Sequence, residues 1–244
     1  MFLYSLLEVS EQTTDVVKWI SVGGVVVLFG LILLIGFFSK KTWDTKQLAF
    51  AGVCVATSFI LAFVKIKPVA SGGSVTLASF APVMLYAFIY GPQSGFIVGL
   101  IHGLLNFIES PYILTPATFL FDYLLAFMAI GVMGFFGKLA RKERGIAPIV
   151  LGTISVYALR FLFHFFSGVI FFMENAIWVE FPSWAVSNAF VYSFIYQCVY
   201  IPADAVVTAI ALIILGKAGV VDTLVKRLRP KSSKPSETFA QEND

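Results

Sequence analysis

Thr118-Phe119-Leu120-Phe121-Asp122-Tyr123-Leu124-Leu125-Ala126-Phe127 is the stretch on which the reading of this chain turns. It continues through Met128 to Gly137 without a second charge, long enough to cross a bilayer as a helix. Burying a lone carboxylate in hydrocarbon costs from about 2.5 kcal/mol upward, so an acid at this depth marks a candidate site. The ring of Tyr123 beside it strengthens that reading.

The rest of the chain has the same solvent preference. Of its 244 residues 59% are hydrophobic, 16% aromatic and only 13% charged, where soluble domains carry about 25% charged residues. Mean hydropathy is +0.89, which makes this an integral membrane protein. Apolar runs predict about seven spans, over 17–38, 47–65, 75–90, 92–108, 117–137, 148–173 and 185–216. The third and fourth touch at Gly91-Pro92. No internal repeat is visible, and the two cysteines, Cys54 and Cys198, fall inside predicted spans with no CxxC metal motif.

Basic residues orient the spans, because short cytoplasmic loops are enriched in Lys and Arg. Lys40, Lys41 and Lys46 follow the first span, Lys138, Arg141, Lys142 and Arg144 the fifth, and Lys226, Arg227, Arg229, Lys231 and Lys234 the last. Placing all three clusters inside leaves the amino terminus outside and the carboxyl terminus cytoplasmic. Glu109, Glu174 and Glu180 then fall outside, with Lys65 and Lys67 dissenting. The first span lacks a small-residue cleavage site and is retained as a helix. The chain divides into an added span with a basic linker (1–46), a membrane domain (47–218) and a basic tail (219–244) too polar to order itself beyond Pro230.

This topology gathers polar groups at one depth. Asp122 lies in the outer half of its helix; Arg160, His164 and Ser167 climb towards the outer face on the next; Asn188, Tyr192, Tyr196 and Gln197 descend on the last. A carboxylate among Tyr123, Phe165, Phe172, Tyr192 and either Trp178 or Trp184 suits a flat organic cation in an outward-facing cavity. Structural alternatives stand beside this. Asp122 and Arg160 form a buried ion pair in one, His164 bridges helices in another, and Tyr192 and Tyr196 belong to an aromatic belt in a third. His102 and Asn106 line the same cavity or simply bond between helices. Ser71-Gly72-Gly73-Ser74 is a lid or an ordinary loop. Ala49, Gly52 and Ala56 give the second span a small-residue face for a close neighbour, internal or from another subunit.

Four strings carry a resemblance to a known family. Ser71-Gly72-Gly73-Ser74-Val75-Thr76, Asp122-Tyr123-Leu124-Leu125-Ala126-Phe127, the run from Arg160 through His164 and Ser167-Gly168-Val169-Ile170 to Phe172, and the run from Tyr192 to Pro202 resemble, in that order, the thiamine-specific substrate-binding (S) subunit of energy-coupling factor (ECF) transporters. The resemblance covers roughly residues 47–216. It implies an all-α bundle of six helices, preceded here by one extra transmembrane helix, in the bacterial plasma membrane. It further implies that the chain captures thiamine from outside and works with a membrane coupling subunit and two cytoplasmic ATPases, without enzymatic activity, cofactor, metal or nucleic acid. Asp122, Tyr123, His164 and Tyr192 match the family's ligand contacts, and Phe172 and Gln197 stand at two more. Gly72, Gly73 and Ser74 match the gating loop, and Ala49, Gly52 and Ala56 the face towards the coupling subunit. This chain departs from the family in carrying Asp122 for a glutamate, Phe172 for a stacking tryptophan and Gln197 for an asparagine. Trp178 or Trp184 is placed to replace the missing indole. The shorter acid and the phenyl ring favour a thiamine precursor or another cationic heterocycle as the alternative ligand.

Two other function classes need features the sequence does not display. His164 and Ser167 lie three apart, as in a hydrolase, yet no oriented base or oxyanion site accompanies them. A self-sufficient secondary transporter driven by protons through Asp122 or His164 calls for inverted repeats or paired broken helices. With no GxxxxGK[ST] motif in the chain, ATP hydrolysis falls to partners.

Overall fold

The computed structural model describes residues 43–68, 73–112, 116–140, 146–170 and 188–228. The expected first span and the three aromatic candidates Phe172, Trp178 and Trp184 lie outside them, as does Gly72.

The first described helix, α1 (Thr45–Ala62), starts where the Asp44 carboxylate accepts the backbone N–H of Gln47 at 2.6 Å, an N-cap that satisfies one of the helix's free donors. The chain then forms a small antiparallel hairpin, β1 (Lys65–Pro68) with β2 (Ser74–Thr76). Helix α2 (Phe80–Tyr90) follows, and α3 (Pro92–Glu109) leaves it through Gly91, whose φ of +93° favours glycine, into Pro92. Next comes α4, residues 116–139, whose stretches run as α-helix Pro116–Phe119, a π-helical turn Leu120–Leu125, α-helix Ala126–Met128, a 3₁₀ turn Ala129–Val132 and α-helix Met133–Leu139. Helices α5 (Ala147–Ile170), α6 (Ala189–Lys217) and α7 (Val220–Leu228) complete the described fold.

Lipid, not water, is the solvent around this bundle, as α6 makes plain. Its buried face carries Tyr192, Tyr196, Tyr200, Asp204, Thr208 and Leu212, one residue every fourth. The opposite face exposes Val206, Ile210 and Ile214. A soluble helix would turn these faces the other way. Four described helical segments, Thr45–Ala62, Leu120–Leu139, Ala147–Ile170 and Ala189–Lys217, are long and apolar enough to cross a bilayer, and the protein is a multi-pass membrane protein.

The span expected over 75–90 is corrected. Val75 belongs to β2, and α2 has only 11 residues, about 16 Å of helix, so it cannot cross alone. All of α2 except Pro82 is buried against its neighbours. A helix sheathed by protein is apolar on every side, so composition cannot distinguish it from one facing lipid. The hairpin likewise ends the expected second span early, at Ala62. It also accounts for the dissenting lysines: Lys65 Nζ lies 2.9 Å from Glu109 Oε1 at the tip of α3. In the stretch assigned to the tail, α7 turns Val221, Leu224, Val225 and Leu228 towards the bundle while exposing Lys226 and Arg227.

Helices α3 and α4 approach until their backbones touch. A Cβ on Gly103 would collide with the Tyr123 carbonyl oxygen, and one on Gly99 with that of Phe127. Gly95, four residues earlier, faces Ala87 and Gly131. This ladder of glycines every fourth residue seats the π-helical turn that carries Asp122.

His102, on α3 between those glycines, is wholly buried between Phe80 and Phe127, its ring edge-on to each at 5.5 and 5.3 Å. Neither ring nitrogen has a hydrogen-bond partner among the described residues. An unsatisfied buried donor costs about 1–3 kcal/mol, whereas an apolar group of similar shape carries no such cost. His102→Leu is therefore expected to keep or raise the thermal unfolding midpoint of the purified protein. A fall of several degrees would show that the imidazole has a stabilising partner.

Candidate functional site

Hairpin, α3, α4, α5 and α6 enclose a cavity of about 90 Å³. Asp122 reaches it from the π-helical turn of α4, a local widening of the helix that occurs often at functional sites. Both of its carboxylate oxygens are engaged from α5. His164 Nδ1 lies 2.8 Å from Oδ1, and the Ser167 hydroxyl donates to Oδ2 at 2.8 Å. A carboxylate only accepts, so Nδ1 carries the proton, and Nε2 of a neutral His164 is left as an acceptor. That Nε2 is buried and has no partner among the described residues.

This geometry does not resemble a hydrolase. Ser167 and His164 both direct their donors at Asp122, so the histidine is not placed to take the serine's proton. What the trio does instead is hold the Asp122 carboxyl group in a fixed orientation at a cavity wall. The alternative in which Asp122 pairs with Arg160 is not what forms. Arg160 Nη1 lies 2.8 Å from Asp204 Oδ2, and its guanidinium sits 4.3 Å over the Phe80 ring. Asp204 also accepts from the Tyr157 hydroxyl at 2.9 Å and from both the backbone N–H and hydroxyl of Thr76 at 3.0 Å. Beneath the cavity the charges of Arg160 and Asp204 therefore cancel.

Helix α6 supplies the aromatic wall. Tyr192 and Tyr196 are stacked at 6.1 Å, and Tyr200 stands edge-on to Tyr196 at 5.6 Å. Tyr192 is 2% and Tyr196 8% exposed, so they face the cavity and not a lipid-headgroup belt. Gln197 braces α5, donating to the His164 carbonyl at 3.2 Å and accepting the Tyr200 hydroxyl at 2.8 Å. Tyr123 turns its ring to the cavity while its hydroxyl accepts the Tyr112 N–H at 2.9 Å and donates to the Ser110 carbonyl at 2.6 Å. The phenol thereby pins the connection that brings Tyr112 to the wall.

Gly73 and Ser74 also line the cavity, and the Gly73 N–H donates to the Tyr196 hydroxyl at 3.2 Å, tying hairpin to α6. Of the pair His102 and Asn106, only Asn106 reaches the cavity. Ala49, Gly52 and Ala56 lie far from this chemistry on an exposed face of α1, and nothing lies within 4 Å of where a Cβ on Gly52 would sit. Asp204 and Tyr112 went unread in the sequence, and Thr76 was read only as the end of the Ser71–Thr76 string. Asp204 had a usable signal, since it is an acid within an apolar stretch just as Asp122 is.

Residues 48–221 match the family described as "Thiamine transporter protein". The thiamine transporter ThiT of Bacillus subtilis (strain 168) is 31% identical over 152 residues, covering 59% of this chain and 75% of that protein. The solved structure of ThiT from Listeria monocytogenes superposes with a TM-score of 0.63 at 24% identity, over 73% of this chain and 96% of that one. The S component of a bacterial ECF transporter superposes more loosely, with a TM-score of 0.47 at 19% identity over 75% of this chain and 99% of that one.

Proposed function

From the premise that this chain belongs to the thiamine transporter protein family, we propose that it is the substrate-binding subunit of an ECF-type importer, capturing thiamine in the cavity beside Asp122. One observation carries the ligand reading. Asp122 is a carboxylate held by two donors at a wall of tyrosine rings, while the cavity's other strong charge, Arg160, is already neutralised by Asp204. The net negative charge beside aromatic faces favours a flat cation over an anion or a neutral sugar. In this reading Asp122 attracts the cation and His164 Nε2 accepts a ligand N–H. Tyr123 and Tyr192 flank the rings, and Gln197 holds His164 in place. Phe172 and either Trp178 or Trp184 are further ligand contacts in this reading. Gly72, Gly73 and Ser74 form the outer gate, and the domain at 47–218 does the binding. The shorter acid supports a thiamine precursor as second reading.

Quenching of tryptophan fluorescence in the purified protein tests the ligand directly. Saturation at or below micromolar thiamine is expected; its absence at that concentration would remove thiamine as the substrate.

Transport in this proposal depends on a membrane coupling subunit docked on Ala49, Gly52 and Ala56, with two cytoplasmic ATPases. Gly52→Leu puts a branched side chain on the one position of that face that has no Cβ. The variant is expected to bind thiamine as the parent does and to lose most thiamine uptake in cells carrying the partners. Full uptake by the variant would exclude this face. Uptake by the parent alone in liposomes would replace the model with a secondary transporter.

A further inference from the structure

We propose that Asn106 reads the uncharged amino-pyrimidine edge of the ligand, an inference that rests on the thiamine-binding reading above. Helix α3 places two polar residues one turn apart. His102 is sealed behind Phe80 and Phe127, whereas Asn106, four residues on, is half-buried on the cavity wall. Most polar side chains on that wall are committed to protein partners. Asp122 is engaged by His164 and Ser167, Gln197 by the His164 carbonyl and Tyr200, Tyr123 by the 110–112 connection, and Arg160 by Asp204. The Asn106 amide, in contrast, has no hydrogen-bond partner among the described residues, and its backbone carbonyl alone is used, accepting from Ser110.

A primary amide offers one acceptor and two donors in a plane. Its natural complement is a heterocycle edge with an exocyclic amine beside a ring nitrogen, the pattern that Asn and Gln recognise on adenine through two parallel bonds. The aminopyrimidine half of thiamine has that edge. Helices α3 and α5 both pack on the π-helical turn of α4, so the carboxylate of Asp122 is braced from α5 while Asn106 lines the same cavity from α3. The labour divides accordingly: Asp122 answers the ligand's charge, and Asn106 answers its neutral edge.

A ligand-by-variant cycle tests this. Thiamine and its analogue lacking the pyrimidine 4-amino group are titrated into the parent and Asn106→Ala by tryptophan quenching. Asn106→Ala is expected to weaken thiamine about 10- to 100-fold and the des-amino analogue less than about 3-fold. Thiamine affinity within twofold of the parent would overturn the proposal, and equal losses for both ligands would overturn the assignment of the edge. Should the alanine variant fail to fold, Asn106→Ser, which keeps a hydroxyl but loses the paired amide, carries the same comparison. Asp122→Asn separates the two claims. If it abolishes binding while Asn106→Ala does not, only this inference fails; if the parent binds thiamine and neither variant changes its affinity, the site reading fails with it.

Discussion

Asp122→Asn is expected to weaken thiamine binding by about 2–5 kcal/mol, at least 30-fold, while leaving the unliganded protein as stable as the parent. The substitution is nearly isosteric, so the loss measures charge and hydrogen-bond polarity. In the parent, His164 and Ser167 both donate to the carboxylate at 2.8 Å. An asparagine can keep both contacts, its amide oxygen accepting from His164 Nδ1–H and its NH2 donating to the Ser167 hydroxyl oxygen, which accepts as well as donates. His164 Nε2 then stays an acceptor, and the loss of affinity reports the lost negative charge. Free protein gains from losing a carboxylate half-sequestered in an apolar bundle, which is why apo stability should not fall. The measurement is a thiamine titration beside a thermal melt without ligand. Unchanged affinity would take Asp122 out of the site; a large drop in the apo melting midpoint would make it structural instead. Asp122→Glu keeps the charge with one more methylene and is expected to retain binding.

How much of this was legible in the sequence depended on which physical signal each element carried. Long apolar stretches with basic flanks revealed the bundle, because hydrocarbon thickness fixes helix length. The short α2 was unreadable as such, since enclosure by protein and enclosure by lipid impose the same composition. The hairpin was hidden because Val64 and Ile66 extend the apolar run beyond Ala62. Depth was legible, and it brought Asp122, His164, Tyr192 and Gln197 to one level. Rotation about each helix was not, and rotation decided that His164 and not Arg160 meets Asp122. The π-helical turn changes the phase of α4 at the residue in question, and no spacing rule on a regular helix anticipates it. The glycines at 95, 99 and 103 were a readable packing signal left unread, as was the second buried acid.

That second acid has the larger consequence for the fold. Asp204→Ala is expected to destabilise the protein by about 3–5 kcal/mol, because it strands the buried Arg160 without a counter-charge. Asp204 is 1% exposed and accepts from four donors: the Arg160 guanidinium, the Tyr157 hydroxyl, and the N–H and hydroxyl of Thr76. It therefore joins α5, α6 and the hairpin at one point. With it gone, Thr76 loses its hold, and the strand leading back to Gly73 and Ser74 is freed from the cavity floor. Paired replacement of both charges, Arg160→Met with Asp204→Leu, is expected to restore much of the lost stability, since a matched apolar pair needs no compensation while a broken ion pair does. Thermal unfolding of the two singles and the double forms the cycle, and a double no more stable than Asp204→Ala would show that the hydrogen bonds to Thr76 and Tyr157, not the charge pair, hold the floor. The two acids thus have opposite signatures. Removing the charge of Asp122 is expected to cost binding and spare the empty fold, whereas removing Asp204 is expected to cost the fold first and binding only through it. An apolar bundle tolerates both for different reasons: Asp204 arrives with its cation built in, and Asp122, on the proposed function, takes its cation from the ligand.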